Sequence, residues 1–243
     1  LELLTMFDYS YPSNNYKNAA FNWGVSISEY WASTTRSDST SNVYHTVFDS
    51  GAWNFGSMYY QSKTATNTNH GVRCVRGSTS NVVLHTGQTT SYGTAPDDAD
   101  NAGVAKSYTD LGNGTVRDEH TGLIWQQNSS ADDPAYAGTC QGIGQDGCLG
   151  WENAKSYCDS LTLGGSSSWR LPSVIELSTN LDYGESDFLD DVFLDEYFGY
   201  WSSTTWPSGT HAAYQTSTTF GYMTPVSKGN SNMGVARCVR DES

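Results

Sequence analysis

The sequence has little positive charge and no long apolar run. Its 243 residues include 12 Lys and Arg against 26 Asp and Glu, which gives a net charge of −14. Such a chain is a poor partner for nucleic acid, heparin-like polyanions and anionic membranes. No stretch approaches the roughly 18 apolar residues of a membrane-spanning helix. We therefore expect neither nucleic-acid binding nor membrane insertion.

The chain is rich instead in small polar and aromatic residues. It contains 24 Gly, 16 Tyr and 8 Trp. This composition is typical of a β-rich, loop-rich extracellular domain, whereas disordered chains are poor in aromatic residues. The length fits one large domain or two small ones.

Three segments of the chain recur further along in the same order, which indicates two homologous units. The matched pairs are residues 1–9 with 175–183, 30–35 with 200–205, and 71–76 with 234–240, the last with one residue inserted. We expect residues 1–77 to be the C-terminal half of a first domain, 78–103 a connector and 104–243 a complete second domain. Leu1 then lies inside a helix. The missing half would come from the remainder of a longer chain or from a neighbour in a homo-oligomer or polymer.

Local patterns in the second unit predict particular elements. Apolar residues at helical spacing predict a helix over residues 151–161. Ser173 and Glu176 form a capping box, which predicts that a second helix starts there. An Asn-Gly pair at 113–114 predicts a hairpin turn, and residues 123–125 a buried strand.

Five cysteines suggest two disulfides and one unpaired thiol. Cys140 and Cys148 bracket a short Gly-rich loop and are expected to pair, while Cys158 and Cys238 would join the first helix to the last strand. Cys74, which matches Cys238 in the repeat, is left without a partner. The alternative is five buried, reduced cysteines.

Six motifs of the second unit resemble one known family. They are Gly-Thr-Val-x-Asp (114–118), Thr-Gly-Leu-Ile-Trp-Gln (121–126), Trp-x-x-Ala-x-x-Tyr-Cys (151–158), Trp-Arg-Leu-Pro (169–172), Tyr-Trp-Ser-Ser-Thr-Thr (200–205) and Arg-Cys-Val-Arg (237–240). Together they resemble the DUF1566 family, also called the Lcl C-terminal domain family. The resemblance implies an α+β fold related to C-type-lectin-like and formylglycine-enzyme-like domains. Two helices would lie beside a small, twisted antiparallel sheet with long loops.

The resemblance also implies a location and a role. It points to a bacterial secreted or cell-surface protein that acts in adhesion. Binding of sulfated glycosaminoglycans, described in the family, is not expected here because the chain is strongly acidic. A glycan or a surface protein is the expected partner.

Candidate binding residues fall in acidic clusters and among aromatic residues. Carboxylates could hold Ca²⁺, although a solvated acidic loop is the alternative, and no other cofactor is expected. The Ca²⁺ candidates are Asp97, Asp98, Asp100, Asp187, Asp190 and Asp191. An aromatic platform for sugar would use Trp206, Tyr214 and Tyr222, although most such rings should lie in the core. The five His residues show no metal-ligand spacing such as H-E-x-x-H.

No motif indicates catalysis. Residues 142–147 satisfy G-x-G-x-x-G but lie in a loop between two cysteines, where a dinucleotide site lacks its strand and helix. We therefore expect a non-enzymatic extracellular protein for adhesion or matrix assembly. The alternatives are a structural subunit of an extracellular filament and an enzyme of the formylglycine-generating type.

Overall fold

The computed structural model describes residues 29–36, 38–47, 57–65, 70–72, 74, 84–92, 103–137, 147–185, 188–194, 199–207, 209–230 and 234–242. These residues form two β-sheets and two α-helices. The larger sheet contains β1 (Glu29–Thr35), β2 (Asn42–Val47), β3 (Ser57–Ser62), β4 (His70–Gly71), β8 (Tyr200–Thr205), β9 (Ala212–Ser217) and β10 (Tyr222–Ser227). The smaller sheet contains β5 (Tyr108–Asp110), β6 (Thr115–Asp118), β7 (Leu123–Gln126) and β11 (Val239–Asp241). The helices are α1 (Trp151–Ser160) and α2 (Val174–Asn180).

The larger sheet joins strands from both ends of the chain. Its order is β4-β1-β2-β3-β10-β9-β8, and its pairs are antiparallel except for β4 with β1. An α+β organisation with two helices is therefore confirmed. The smaller, four-stranded sheet is antiparallel, as expected. The larger sheet was not expected: β3 pairs with β10 and so joins two sets of strands into one seven-stranded sheet.

Strands β1–β2 and β8–β9 pair in the same register. In both pairs the register shifts between the tryptophan and the last threonine of the first strand. Matching sequence thus produces matching strand geometry in the two halves of the sheet. The corresponding pairs are Tyr30–Thr46 with Tyr200–Thr216, Trp31–His45 with Trp201–Gln215, and Thr35–Val43 with Thr205–Ala213.

Two parallel pairings correct the sequence alignment of the C-terminal segments. Tyr30 pairs with Gly71, and Tyr200 pairs with Val235. Gly71 therefore corresponds to Val235 rather than to Gly234, and no residue is inserted between the matched segments.

The cysteines differ between the two halves. The disulfide between Cys158 and Cys238 is confirmed and joins α1 to the segment before β11. Cys148 is buried and disulfide-bonded, whereas its expected partner Cys140 lies outside the described residues. Cys74 is free and exposed. The alternative of five reduced, buried cysteines is therefore wrong.

A buried arginine holds the segment that links the two sheets. Arg237 donates to the backbone carbonyls of Gln126 (3.2 Å) and Gln127, and to the Tyr200 hydroxyl (3.1 Å). Its guanidinium also lies 4.5 Å from the centre of the Phe193 ring. A planar group with five donors suits several acceptors at once, and burial makes each of these bonds costly to lose.

Helix α2 starts at the capping box that the sequence predicts. The Ser173 hydroxyl accepts from the backbone N–H of Glu176, and the Glu176 carboxylate accepts from the backbone N–H of Ser173. Arg170 then binds both oxygens of that carboxylate, at 2.6 and 2.9 Å. The predicted capping box is confirmed, as are the helix that starts at Trp151 and the strand over Leu123–Gln126.

The two helices pack on opposite faces of the larger sheet. Residues of α1 pack with Trp201 and Ala213 in one buried cluster. On the other face, Val174 of α2 shares a cluster with side chains from both halves of the sheet. The sheet residues of this second cluster are Tyr30, Tyr44, Met58, Ala212, Tyr214 and Met223.

Buried tyrosines reinforce the junction between β3 and β10. Met58 pairs with Met223 across the junction. The hydroxyls of Tyr44 and Tyr183 donate to backbone carbonyls in the turn before β10, at 2.9 and 3.0 Å. Both rings lie in the core, where their hydroxyls need partners. These bonds fix the turn and with it the edge on which β3 pairs.

Part of the predicted connector is built into the fold. The backbone N–H of Thr35 donates to the buried Gln88 side chain (2.7 Å), and that of Tyr183 to the carbonyl of Thr86 (2.6 Å). Gly87, at φ 95°, lies where a Cβ atom would overlap Asp182. The domain boundaries at residues 77, 103 and 104 stay predictions. In the described part of the chain, neither helix is long and apolar enough to cross a membrane.

We expect Arg237→Lys to lower the free energy of unfolding by about 2–4 kcal/mol, because an ammonium cannot satisfy the same buried acceptors. Urea unfolding would measure the change. Arg240→Lys is the matched control: Arg240 is half-buried in β11, and its replacement should change stability by less than about 1 kcal/mol. Equal losses for the two variants would contradict the role given to Arg237.

Candidate metal centre and aromatic face

The acidic residues expected to bind Ca²⁺ gain no support from the described structure. Asp97, Asp98, Asp100 and Asp187 lie outside the described residues. The Asp190 carboxylate accepts from the backbone N–H of Val192 at 3.0 Å, and Asp191 is exposed. Within the described ranges, neither residue belongs to a group of three or more metal-ligating side chains.

Two of the three aromatic residues expected to bind sugar lie in the core. Tyr214 is fully buried and Trp206 is 7% exposed, and both pack in the cluster between α2 and the sheet. A buried ring offers no face to a ligand. The prediction that these three residues together form a sugar-binding platform is therefore wrong. Tyr222 is half-buried and lies on the opposite face of β10 from Met223.

A group that the sequence did not indicate lies at the β4 end of the larger sheet. Glu29, His45 and His70 each bring one ligand atom to within 4.8 Å of the other two. The Glu29 Oε2 atom lies 2.8 Å from His70 Nε2 and 3.7 Å from His45 Nε2. These atoms are of the types that bind divalent metal ions. The spacing of the histidines along the sequence did not indicate this group.

Strand pairing brings the group together. Glu29 on β1 pairs directly with His70 on β4, and Trp31 on β1 pairs with His45 on β2. Because side chains alternate along a strand, Glu29 and Trp31 project from the same face. Successive members of the group lie 16 and 25 residues apart in the chain. No helical spacing could therefore have revealed them, and only knowledge of the register would have.

Burial keeps the imidazoles of this group neutral. The His45 and His70 side chains are 10% and 3% exposed. Burial, assisted by His70, lowers the pKa of His45 to about 4. Burial also lowers the pKa of His70, against the opposing effect of the Glu29 carboxylate. A neutral imidazole has a free lone pair on one nitrogen.

Aromatic rings continue from this group across the same face of the sheet. Trp31 stacks on His70 with ring centres 4.1 Å apart, and His45 meets Trp31 edge-on at 5.8 Å. The ring centre of His45 lies 6.4 Å from that of Tyr59, its pairing partner on β3. Across the junction, Tyr59 stacks on Tyr222 and Tyr222 on Phe220, each at 5.5 Å. We call this set of six side chains the aromatic row; its members are His70, Trp31, His45, Tyr59, Tyr222 and Phe220.

The β8 end of the same face is covered by α1 and the residue before its N-cap. Trp201, which corresponds to Trp31, donates its ring N–H to the backbone carbonyl of Leu149 at 2.7 Å. Leu149 and Trp151 pack against it in a buried cluster. Trp31, by contrast, is only half-buried. The two halves thus share a strand framework but differ in how this face is used.

Comparison with known proteins identifies one family. Residues 114–240 match the Lcl C-terminal domain family, over more than half of the chain. No curated protein and no solved structure matches the chain. The matched segment contains both helices, β6 to β10 and the first two residues of β11. The resemblance found in the sequence motifs is thereby confirmed, and the chain belongs to the Lcl C-terminal domain family.

Proposed function

We propose that this chain is a non-enzymatic extracellular module of a bacterial surface protein, and that it serves adhesion or matrix assembly by binding a neutral glycan on the aromatic row. The Lcl C-terminal domain family is associated with bacterial surfaces. The Cys158–Cys238 disulfide fits an oxidising compartment outside the cytosol. The observation that carries the proposal is that four rings of the row are half-buried on one face of the sheet, those of Trp31, Tyr59, Phe220 and Tyr222.

The chemistry of the row suits a sugar. Tyr and Trp offer an apolar ring together with a polar group, so they can contact both the C–H surface and the hydroxyls of a saccharide. The Tyr59 hydroxyl lies 3.0 Å from Thr224 Oγ1, which places two further hydroxyls beside the rings. The net charge of −14 disfavours sulfated polymers and so favours a neutral glycan.

We also propose that the fold is related to C-type-lectin-like domains. This proposal rests on the sequence resemblance and on the α+β organisation. Sugar binding by the row would use ring stacking and hydroxyl contacts.

Cysteine pairing weighs against the formylglycine-generating alternative. Reactive cysteines are thiolates with access to solvent. Cys158 and Cys238 are buried and bonded to each other. The free thiol, Cys74, is exposed but is a lone cysteine.

A second candidate function is a subunit of an extracellular filament. The observation that favours it is the position of Cys74. Cys74 lies three residues after Gly71, and Cys238 lies three residues after Val235, the residue that corresponds to Gly71. Cys74 thus corresponds to a cysteine that is disulfide-bonded in the other half of the sheet. For subunits linked through this thiol, non-reducing electrophoresis of oxidised protein would show a disulfide-linked dimer, absent in Cys74→Ser, because one free thiol per chain can form one bond between chains. A single monomer band in both proteins would remove this support.

For the glycan site we expect Tyr222→Ala to weaken binding by at least about 30-fold, as for an aromatic hot spot, whereas Tyr222→Phe keeps the ring and most of the affinity. A neutral-glycan array would identify the ligand, and titration calorimetry would then measure each variant. Tyr92→Ala is the matched control, since Tyr92 is an exposed tyrosine outside the row.

Two results would contradict this proposal. One is an array on which the intact protein binds no neutral glycan. The other is equal affinity of the intact protein and Tyr222→Ala for the glycan that is found.

A further inference from the structure

We propose that Glu29, His45 and His70 bind one Zn²⁺ ion, which ties edge strand β4 to β1 and β2. These residues lie outside the segment that matches the family, so the site belongs to this chain rather than to the family's shared motifs. The inference does not depend on glycan binding and can hold if that proposal fails.

The distances are close to those that a tetrahedral ion requires. Zinc lies about 2.0–2.1 Å from nitrogen ligands, so tetrahedral ligand atoms are about 3.3 Å apart. Here Glu29 Oε2 is 2.8 Å from His70 Nε2 and 3.7 Å from His45 Nε2, and all three ligand atoms lie within 4.8 Å of one another. Shifts of about an ångström in side chains would complete the geometry, with no change in the strands.

Unpaired nitrogen atoms support the same conclusion. Nδ1 of His45 and both ring nitrogens of His70 are buried and make no hydrogen bond with the described residues. Although Glu29 lies near His70 Nε2, the angle does not suit a hydrogen bond. A buried polar atom without a partner is unfavourable by about 1–3 kcal/mol. Coordination through Nε2 would give this atom of His70 a partner.

The donor set selects the kind of ion. Two imidazoles and one carboxylate are a zinc ligand set that leaves one position open for water. Ca²⁺ prefers six to eight oxygen ligands, and Mg²⁺ oxygen ligands in octahedral geometry. The site therefore differs in chemistry as well as in place from the acidic clusters expected to bind Ca²⁺.

The surrounding framework holds the ligands in position. Each ligand is on a strand, and the Glu29–His70 pairing fixes β4 against β1. Trp31 stacks on His70 and meets His45 edge-on, so it restrains both imidazoles. Ligands carried by paired strands are better fixed than ligands on loops.

The other half of the sheet provides an internal comparison. Gln215 takes the place of His45, and Gly234 the place of His70, when the strand registers are superimposed. A Cβ atom on Gly234 would lie 2.1 Å from Gln215 Nε2, so that half has no room for a histidine there. The fold thus accepts glutamine at the position of His45, which makes His45→Gln a conservative way to remove a ligand.

The test is calorimetric titration of the full chain with ZnCl₂, in protein without a histidine tag. Cys74→Ser serves as the background, because an exposed thiol binds zinc and Cys74 lies outside the ligand group. We expect one Zn²⁺ per chain. His45→Gln and Glu29→Gln should each weaken binding by about 100-fold or more, since even outer partners of a metal ligand contribute 10–100-fold.

His120→Gln is the matched control, because His120 is an exposed histidine in a turn far from the group in the chain. It should leave the affinity for Zn²⁺ unchanged, and CaCl₂ should not compete. Zn²⁺ should also raise the unfolding temperature of the background protein and of His120→Gln, but not that of His45→Gln. Similar unfolding temperatures of the variants without metal would show that each one folds.

Two outcomes would overturn the proposal. The first is that the background protein binds no Zn²⁺. The second is that His45→Gln and Glu29→Gln, folded as judged by their unfolding temperatures, bind Zn²⁺ as tightly as the background protein.

Discussion

The pairing of β3 with β10 is the contact on which the rest of the structure depends. It joins two sets of strands that have the same internal registers into one seven-stranded sheet. On one face it brings the two methionines into the core with Tyr44 and Tyr183. On the other it places Tyr59 against Tyr222. Without this pairing there is neither a shared core nor a continuous aromatic row.

The two halves of the sheet use their common framework differently. At the β8 end, α1 and Leu149 cover the face, and the Cys158–Cys238 bridge holds that helix in place. At the β4 end the same face carries imidazoles and half-buried rings. Covering a sheet face builds stability, whereas leaving aromatic residues on it provides a surface for recognition. In the function that we propose, the covered half of this repeated framework is the scaffold and the other half is the binding surface.

Features set by neighbouring residues could be predicted from the sequence, and features set by distant pairing could not. The capping box at Ser173 and the α1 helix depend on residues three or four apart. The Cys158–Cys238 disulfide could be predicted because Cys158 lies in a predicted helix and Cys238 in the predicted last strand. The group of Glu29, His45 and His70 depends on strand register, and so does the β3–β10 junction. The burial of Tyr214 was missed because a tyrosine in a strand can face either side, and the core face was not known.

Disulfide trapping across the junction tests the central claim most directly. Directly paired residues of antiparallel strands have Cα atoms about 4.5–5.5 Å apart, which suits a disulfide. In a Cys74→Ser background, Met58→Cys combined with Met223→Cys should form a new disulfide under mild oxidation, seen by intact mass and thiol titration. Met58→Cys with Val226→Cys, three residues further along β10, should not. Free thiols in the first double variant, with the protein folded, would contradict the account of a single sheet.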